Sequence, residues 1–433
     1  MQLEEKILRI PDPSEKQITE RIRRLIVSTG PISFAQFMEE VLYAPNLGYY
    51  NSLNPIGASG DFFTSPSAHP IFGALIAIQI QEMWTILGKP YPFTVLEFGA
   101  GQGLLGRDIL SFIKSNHPTF FRQLNYVLID RVEPTHYENP KADRILTNHF
   151  PFKNITGCVI SNELFDSFPV HRFKIQNGTF HEILVNWGPN GFTEVLREIK
   201  SPSLLGYLND NCIHNLPDGF EGEISLQPPI WLESAIASLN HGFILTIDYG
   251  GRKEDIYSSR NYSGTLRCFY KHMVVGNPYQ RIGQQDITSN VNFSALIDSG
   301  KAKGVPTLAL TTQREFLINL GMGDFLKALA QSQLPNQANF IPPLSQKEYL
   351  ANRMAALQLI NPEGLGAFKV LIQAKDVPDS RLCGINPRNE QPGVNPRGFA
   401  SAYLPVRDQE RTPLFEGRFP DQALIPDDIW PWG

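Results

Sequence analysis

Between Phe93 and Asp130 the chain runs from a short apolar stretch through three closely spaced glycines, into a helix-period pattern, and back to a second apolar stretch. Phe93-Thr94-Val95-Leu96-Glu97-Phe98 predicts a buried strand, because apolar and β-branched positions without polar alternation mark a strand covered on both faces. Gly99, Gly101 and Gly103 follow as a G-x-G-x-G turn. Leu104 to Ile113 predicts a helix with Leu105, Ile109, Phe112 and Ile113 on its apolar side, and Tyr126 to Asp130 a second strand. Strand, glycine turn, helix, strand is the opening unit of a doubly wound α/β domain, which holds a nucleotide-like ligand at the carboxyl ends of its strands.

The rest of the chain reads outward from this unit. Ser14-Glu15-Lys16-Gln17 and Ser33-Phe34-Ala35-Gln36 are capping boxes opening two N-terminal helices, expected to cap the α/β domain. A polar, glycine-rich loop over 51–66 leads into a long apolar helix from about Pro70 to Leu87. Gly157 to Ser161 predicts a short buried strand. Residues 171–198 alternate and carry the turn signals Asn177-Gly178 and Pro189-Asn190-Gly191, which predicts an inserted antiparallel meander. A helix near Trp231 to Leu239, a strand from Gly242 to Asp248, a strand and helix over Thr307 to Leu320, further helices to about Leu359 and a last strand from Phe368 to Ala374 complete the domain. After Val377, prolines, arginines and glycines dominate and periodicity ends, which reads as an extended tail. The expected division is 1–92 as helical cap with the polar loop, 93–376 as ligand-binding α/β domain with insertions, and 377–433 as Pro-rich extended tail.

Composition narrows this picture little. A hydrophobic share of 42% and a charged share of 19% in 433 residues are those of a globular chain, and a net charge of -5 gives no general pull toward nucleic acid. The longest apolar run, Ile71 to Ile80, is too short to span a bilayer, so no membrane insertion is expected. Cys158, Cys212, Cys268 and Cys383 are scattered, so neither a metal site nor a disulfide framework is indicated. With no secretory signal or Arg-rich transit peptide visible, a cytoplasmic location is the expectation.

The candidate chemistry gathers at strand ends. Glu97 precedes the glycine turn and Asp130 ends the second strand, placed to accept both hydroxyls of a ribose. The turn departs from the dinucleotide fingerprint, since its third glycine comes one residue early, although Gly106 could fill the last slot. An acid ahead of the first glycine is usual in S-adenosylmethionine sites. Both cofactor readings stay open on these residues, with a ligand-free structural turn as a third. Asn162, Glu163 and Asp166 collect after the strand ending at Ser161, and Asp248 and Tyr249 end another. Gly60, Asp61, Thr64 and Ser65 precede a helix start, which suits polar or anionic ligand groups. A solvated connector remains the plainer reading of that loop.

Taken together these motifs resemble the MidA family of class I S-adenosylmethionine-dependent methyltransferases. The resemblance runs from about Gly30 to Ala374 and rests on Gly48-Tyr49-Tyr50, Gly60-Asp61-Phe62 with Thr64-Ser65-Pro66, Leu96 to Gly103, Asn162-Glu163-Leu164-Phe165-Asp166, Ile247-Asp248-Tyr249-Gly250, Gly264 to Cys268 and Gly283 to Phe293. It implies a Rossmann-like α/β sheet with a helical N-terminal cap and an inserted antiparallel meander. It also implies S-adenosylmethionine as cofactor, bound by Gly60, Asp61, Thr64, Glu97, Gly99, Gly101, Gly103, Asp130 and Asn162, and active-site roles for the Gly60-Asp61-Phe62 loop and Gly264 to His272. Mitochondrial members are assigned as protein-arginine methyltransferases that assist respiratory complex I assembly. That implies an arginine side chain of a protein as substrate, with Glu163, Asp166 and Asp248 as catalytic acids. A respiratory-complex subunit is then the candidate target and a homodimer the candidate assembly. A non-catalytic assembly factor and a methyltransferase for small amines or hydroxyls are the alternatives. Two stretches depart from the family pattern, Asp130-Arg131-Val132-Glu133-Pro134 and Glu223 to Gln227.

Overall fold

The computed structural model describes residues 12–51, 64–134, 141–211, 213, 216–271, 273–331, 345–378 and 381–386. The chain folds as two compact units, Met1–Pro55 with Ser167–Leu226 and Tyr257–Ser289, and Ile56–Asp166 with Gln227–Ile256 and Asn290–Gly433. Chain order and spatial grouping therefore run differently: the N-terminal helices share a unit with the meander, while the long apolar helix belongs with the glycine turn.

In the first unit, helix Pro13–Thr29 begins two residues earlier than the capping box at Ser14 indicates. Its cap is Asp12, whose carboxylate accepts the Ser14 N–H at 2.8 Å, with Pro13 in the first turn where its missing donor costs nothing. The second helix, Phe34–Tyr43, does begin at the expected capping box, Ser33 with Gln36. The meander forms as His171–Gln176, Thr179–Gly188 and Gly191–Glu198, antiparallel throughout. Asn177 and Gly178 both take positive φ, as the tight hairpin turn requires.

The second unit is built on a seven-stranded sheet. Its strands are β1 (Phe93–Phe98), β2 (Leu124–Asp130), β3 (Ala142–Leu146), β4 (Ile155–Asn162), β5 (Leu239–Asp248), β6 (Thr307–Thr312) and β7 (Lys369–Lys375). They lie in the order β6-β7-β5-β4-β1-β2-β3, with β7 antiparallel to both of its neighbours and β1 to β5 mutually parallel. This is a mixed, doubly wound α/β sheet of the kind the sequence resemblance implies. β3 has no counterpart in the sequence reading. It is an edge strand with one neighbour and a half-exposed sequence, Ala-Asp-Arg-Ile-Leu, so it lacks the apolar run that marks the central strands.

Helix α1 (Ile71–Ile86) is apolar on nearly every side because it is buried, with Leu75, Ile76, Ile80 and Met83 fully enclosed in the core that also takes Val95 and Ile109. Each such side chain contributes about 1.5–3 kcal/mol of burial. Helix α2 (Leu104–Asn116) covers β1 and β2 through Leu105, Ile109 and Ile113. Helix α3 (Gln227–Ser238) leads into β5. Past β7, residues 381–386 pack back onto α1: Leu382 is fully buried, the Cys383 N–H donates to Glu82 Oε2 at 2.9 Å, and the Gly384 N–H to Gln79 Oε1 at 3.0 Å. The remainder of the expected tail lies outside the described residues.

Candidate active site

Strand order changes direction between β1 and β4, and the carboxyl ends flanking such a switch form the crevice where ligands bind. The loop after β1 is the glycine turn. Gly99, Gly101 and Gly103 have φ of 69°, 51° and 76°, left-handed values that side chains resist. The turn is fastened to β2, where Ile129 O accepts the Gly99 N–H at 2.9 Å and Asp130 Oδ2 accepts the Gly101 N–H at 2.7 Å. Gly106 serves packing: a Cβ there would press on Leu128 and Tyr126 at 2.9 Å, so α2 can lie close on the sheet only without one.

Glu97 and Asp130 occupy different environments. Asp130 sits partly exposed at the tip of β2, its second oxygen accepting the Val132 N–H at 3.1 Å. Glu97 faces inward at 3% exposure and accepts the Tyr126 hydroxyl at 2.6 Å, a buried support beneath the turn. Burial pushes its carboxyl up to about 8, against the Tyr126 bond and the Arg144 charge, which lower it. The folded chain thus holds a proton that an unfolded one releases above the ordinary value of 4.5. That stability is complete below 4.5 and is lost as pH rises through about 8. The thermal midpoint is expected to fall between about pH 6 and 9, and to fall less in Glu97→Gln, which keeps an acceptor for Tyr126 but carries no proton. Equal falls in the two proteins would remove Glu97 as the source.

The loop after β4 brings the acids together. Glu163 has φ of 51°, strained for a residue with a side chain, and its N–H is held by Ile247 O at 2.9 Å. Its Oε1 accepts the Ser65 N–H at 2.9 Å and Asn162 Nδ2 at 3.0 Å; Oε2 takes no hydrogen bond among the described residues. Ser65 is held in turn, its hydroxyl donating to Gln313 Oε1 at 3.1 Å while Gln313 Nε2 donates to Leu359 O at 3.0 Å. Burial first, and the nearby Asp166 charge, push Glu163 up to about 8. Asp248, 1% exposed, accepts the Leu164 and Phe165 N–H groups on Oδ2 at 3.1 and 2.9 Å, and the Tyr249 N–H on Oδ1 at 2.9 Å. Its proton affinity is raised by burial and by Asp166, while the N–H groups oppose that shift. Asp166 is buried beside both, at 7% exposure.

Glu163, Asp166, Asp248 and Asn162 come together at the ends of β4 and β5, while the glycine turn and Asp130 come together at β1 and β2. Leu164 joins the two loops, since a Cβ on Gly99 would lie 3.0 Å from Leu164 Cδ1. Thr64 is buried, its N–H donating to Ser67 Oγ at 2.8 Å as the short helix Ser65–Ala68 begins. Gly60, Asp61 and His272 lie outside the described residues. Gln313 gave no sequence signal, because nothing local marks a glutamine whose partners lie far along the chain. In the first unit the departing stretch at Glu223 has a task. Its carboxylate accepts the Thr265 and Leu266 N–H groups at 2.8 and 3.3 Å, holding the turn that Gly264 opens at φ 80°.

A family model described as S-adenosyl-L-methionine-dependent methyltransferase matches residues 75–311. A zebrafish (Danio rerio) protein, named as the mitochondrial protein arginine methyltransferase NDUFAF7, is 29% identical over 83% of this chain and 88% of its own. The human (Homo sapiens) protein of that name is 30% identical over 73% and 77%. A crystal structure from Burkholderia thailandensis, bound to S-adenosyl-homocysteine, superposes with a TM-score of 0.74 at 26% identity, covering 87% of this chain and 97% of that one.

These relatives correct one expectation: they are named as mitochondrial proteins, which overturns the cytoplasmic assignment. Among the described residues no helix is long and apolar enough to cross a membrane. The residues at the switch point fit a nucleoside donor. A Cβ at Gly101 would meet nothing within 4 Å among the described residues, so the turn is open on that side. Each Asp130 oxygen accepts one N–H and keeps a lone pair, and Asn162 Oδ1 is a buried acceptor with no hydrogen-bond partner among the described residues. By the family match, the relatives and the sheet order together, the chain belongs to the S-adenosylmethionine-dependent methyltransferases of the MidA family.

Proposed function

We propose that the protein methylates an arginine side chain of a protein substrate. The observation that carries this reading is the cluster of Glu163, Asp166 and Asp248 at the ends of β4 and β5, in which Glu163 keeps Oε2 outside its bonds to Ser65 and Asn162. The names of the zebrafish and human relatives support it.

S-adenosylmethionine, when bound, supplies a sulfonium-activated methyl group. The turn from Gly99 to Gly103, Asp130 and Asn162 are the residues that would hold it, with Glu97 as the buried support of that turn. A guanidinium arrives charged and planar, and carboxylates grip it in pairs. In our reading Glu163 Oε2 and Asp166 take that grip, orienting one nitrogen and drawing positive charge toward the others. Asp248 holds the loop that presents them. A respiratory-complex subunit as target and a homodimer as working assembly belong to the same proposal.

Transfer of labelled methyl groups to matched peptides tests it. The expected product is methylarginine from the arginine peptide, with no label on a lysine counterpart. Label on lysine alone, or none on either peptide from a chain that binds S-adenosylmethionine, would overturn the arginine reading.

A further inference from the structure

The glycine turn is held from two sides by a pair of opposite charges, and only one of them, Asp130, was visible as a candidate in the sequence. Asp130 accepts the N–H groups of Gly101 and Val132, at 2.7 and 3.1 Å. Arg144 Nη2 donates to the carbonyls of the same two residues, Gly101 at 2.8 Å and Val132 at 3.4 Å. The loops after β1 and β2 are thus fastened together through both polar groups of one residue in each. Register explains the reach. Glu97 pairs with Leu128 and Leu128 with Arg144, so Arg144 stands in the same cross-sheet row as the buried Glu97.

We infer that Arg144 is a positioning residue that keeps the glycine turn in its donor-binding shape. Among the described residues no other donor reaches the Gly101 carbonyl, and a turn free to swing loses the preorganisation on which tight binding depends. Arginine suits the task because the two hydrogens of Nη2, held in the rigid guanidinium plane, point at both carbonyls, a direction that a lysine ammonium on a flexible stem does not fix. The inference rests on the cofactor site alone and is independent of the arginine-substrate reading.

The test is the dissociation constant for S-adenosylmethionine and S-adenosyl-homocysteine, measured calorimetrically on the full chain and on Arg144→Met and Arg144→Lys. In Arg144→Met both constants are expected to rise about tenfold, the size set by losing charged hydrogen bonds. The donor KM should rise with them, while kcat at saturating donor changes less than about threefold. Arg144→Lys, with its charge kept beside Glu97, should hold a thermal midpoint near wild type yet bind the donor several-fold more weakly. Wild-type affinity in Arg144→Lys would show that charge alone suffices and would overturn the inference, as would affinities within about twofold of wild type in both variants. Should Arg144→Met not fold, the lysine variant decides. A wild-type chain that bound neither compound would remove the cofactor site itself.

Discussion

Glu163→Gln is expected to lower kcat/KM for an arginine peptide by about a hundredfold to a thousandfold while leaving affinity for S-adenosylmethionine near wild type. The substitution keeps the side chain's shape and an oxygen for the Ser65 N–H, and removes only the charge that the guanidinium meets. The pH profile gives a second, sharper signature. With its carboxyl pushed up to about 8 by burial, Glu163 is mostly protonated at neutral pH in the free protein. Only the ionised form grips a cation, so wild-type kcat/KM should climb with pH and level off above about 8, and the variant should lack that limb. Steady-state rates from about pH 6 to 9 on both proteins check it. A variant with wild-type rates would remove Glu163 from the grip. A variant that loses activity but keeps the limb would assign the titration to another group.

Asp248→Asn is expected to cost about a hundredfold in activity and several degrees in thermal midpoint together. The carboxylate gathers three backbone N–H groups, of Leu164, Phe165 and Tyr249, within 3.1 Å. An amide offers one acceptor oxygen and points a donor at an N–H group, so at least one buried backbone donor goes unpaired, at about 1–3 kcal/mol. The loop it holds also carries Glu163 at a strained positive φ, a conformation that persists only while its surroundings over-determine it. Activity should therefore fall because Glu163 relaxes. Hydrogen exchange separates the possibilities: the amides of Leu164 and Phe165 should lose protection in the variant. Lost activity with wild-type exchange and midpoint would mean that Asp248 acts on the substrate itself.

The central strands were legible because burial on both faces leaves an unbroken apolar run, as in Tyr126 to Asp130 and Gly242 to Asp248. The meander was legible because Asn177-Gly178 permits few backbone conformations. Edge strand β3 was not, since a strand with one neighbour and an open side needs no such run. The start of the first helix was misplaced for a related reason. Ser14 and Asp12 both have capping side chains, and which one caps depends on backbone geometry that composition does not reveal.

At the site, the sequence by itself determined which acids end strands and where the glycines permit a turn, because those properties belong to local residues and their spacing. Division of labour among the acids was decided by the tertiary structure. Glu97, Glu163 and Asp248 are all carboxylates after or within apolar runs, yet one lies under Tyr126, one keeps an oxygen outside its bonds, and one is filled by backbone donors. What a carboxylate does depends on the dipoles within hydrogen-bonding reach, and here those come from the Tyr126 hydroxyl and the N–H groups of Ser65, Leu164 and Phe165, which only the folded sheet brings near.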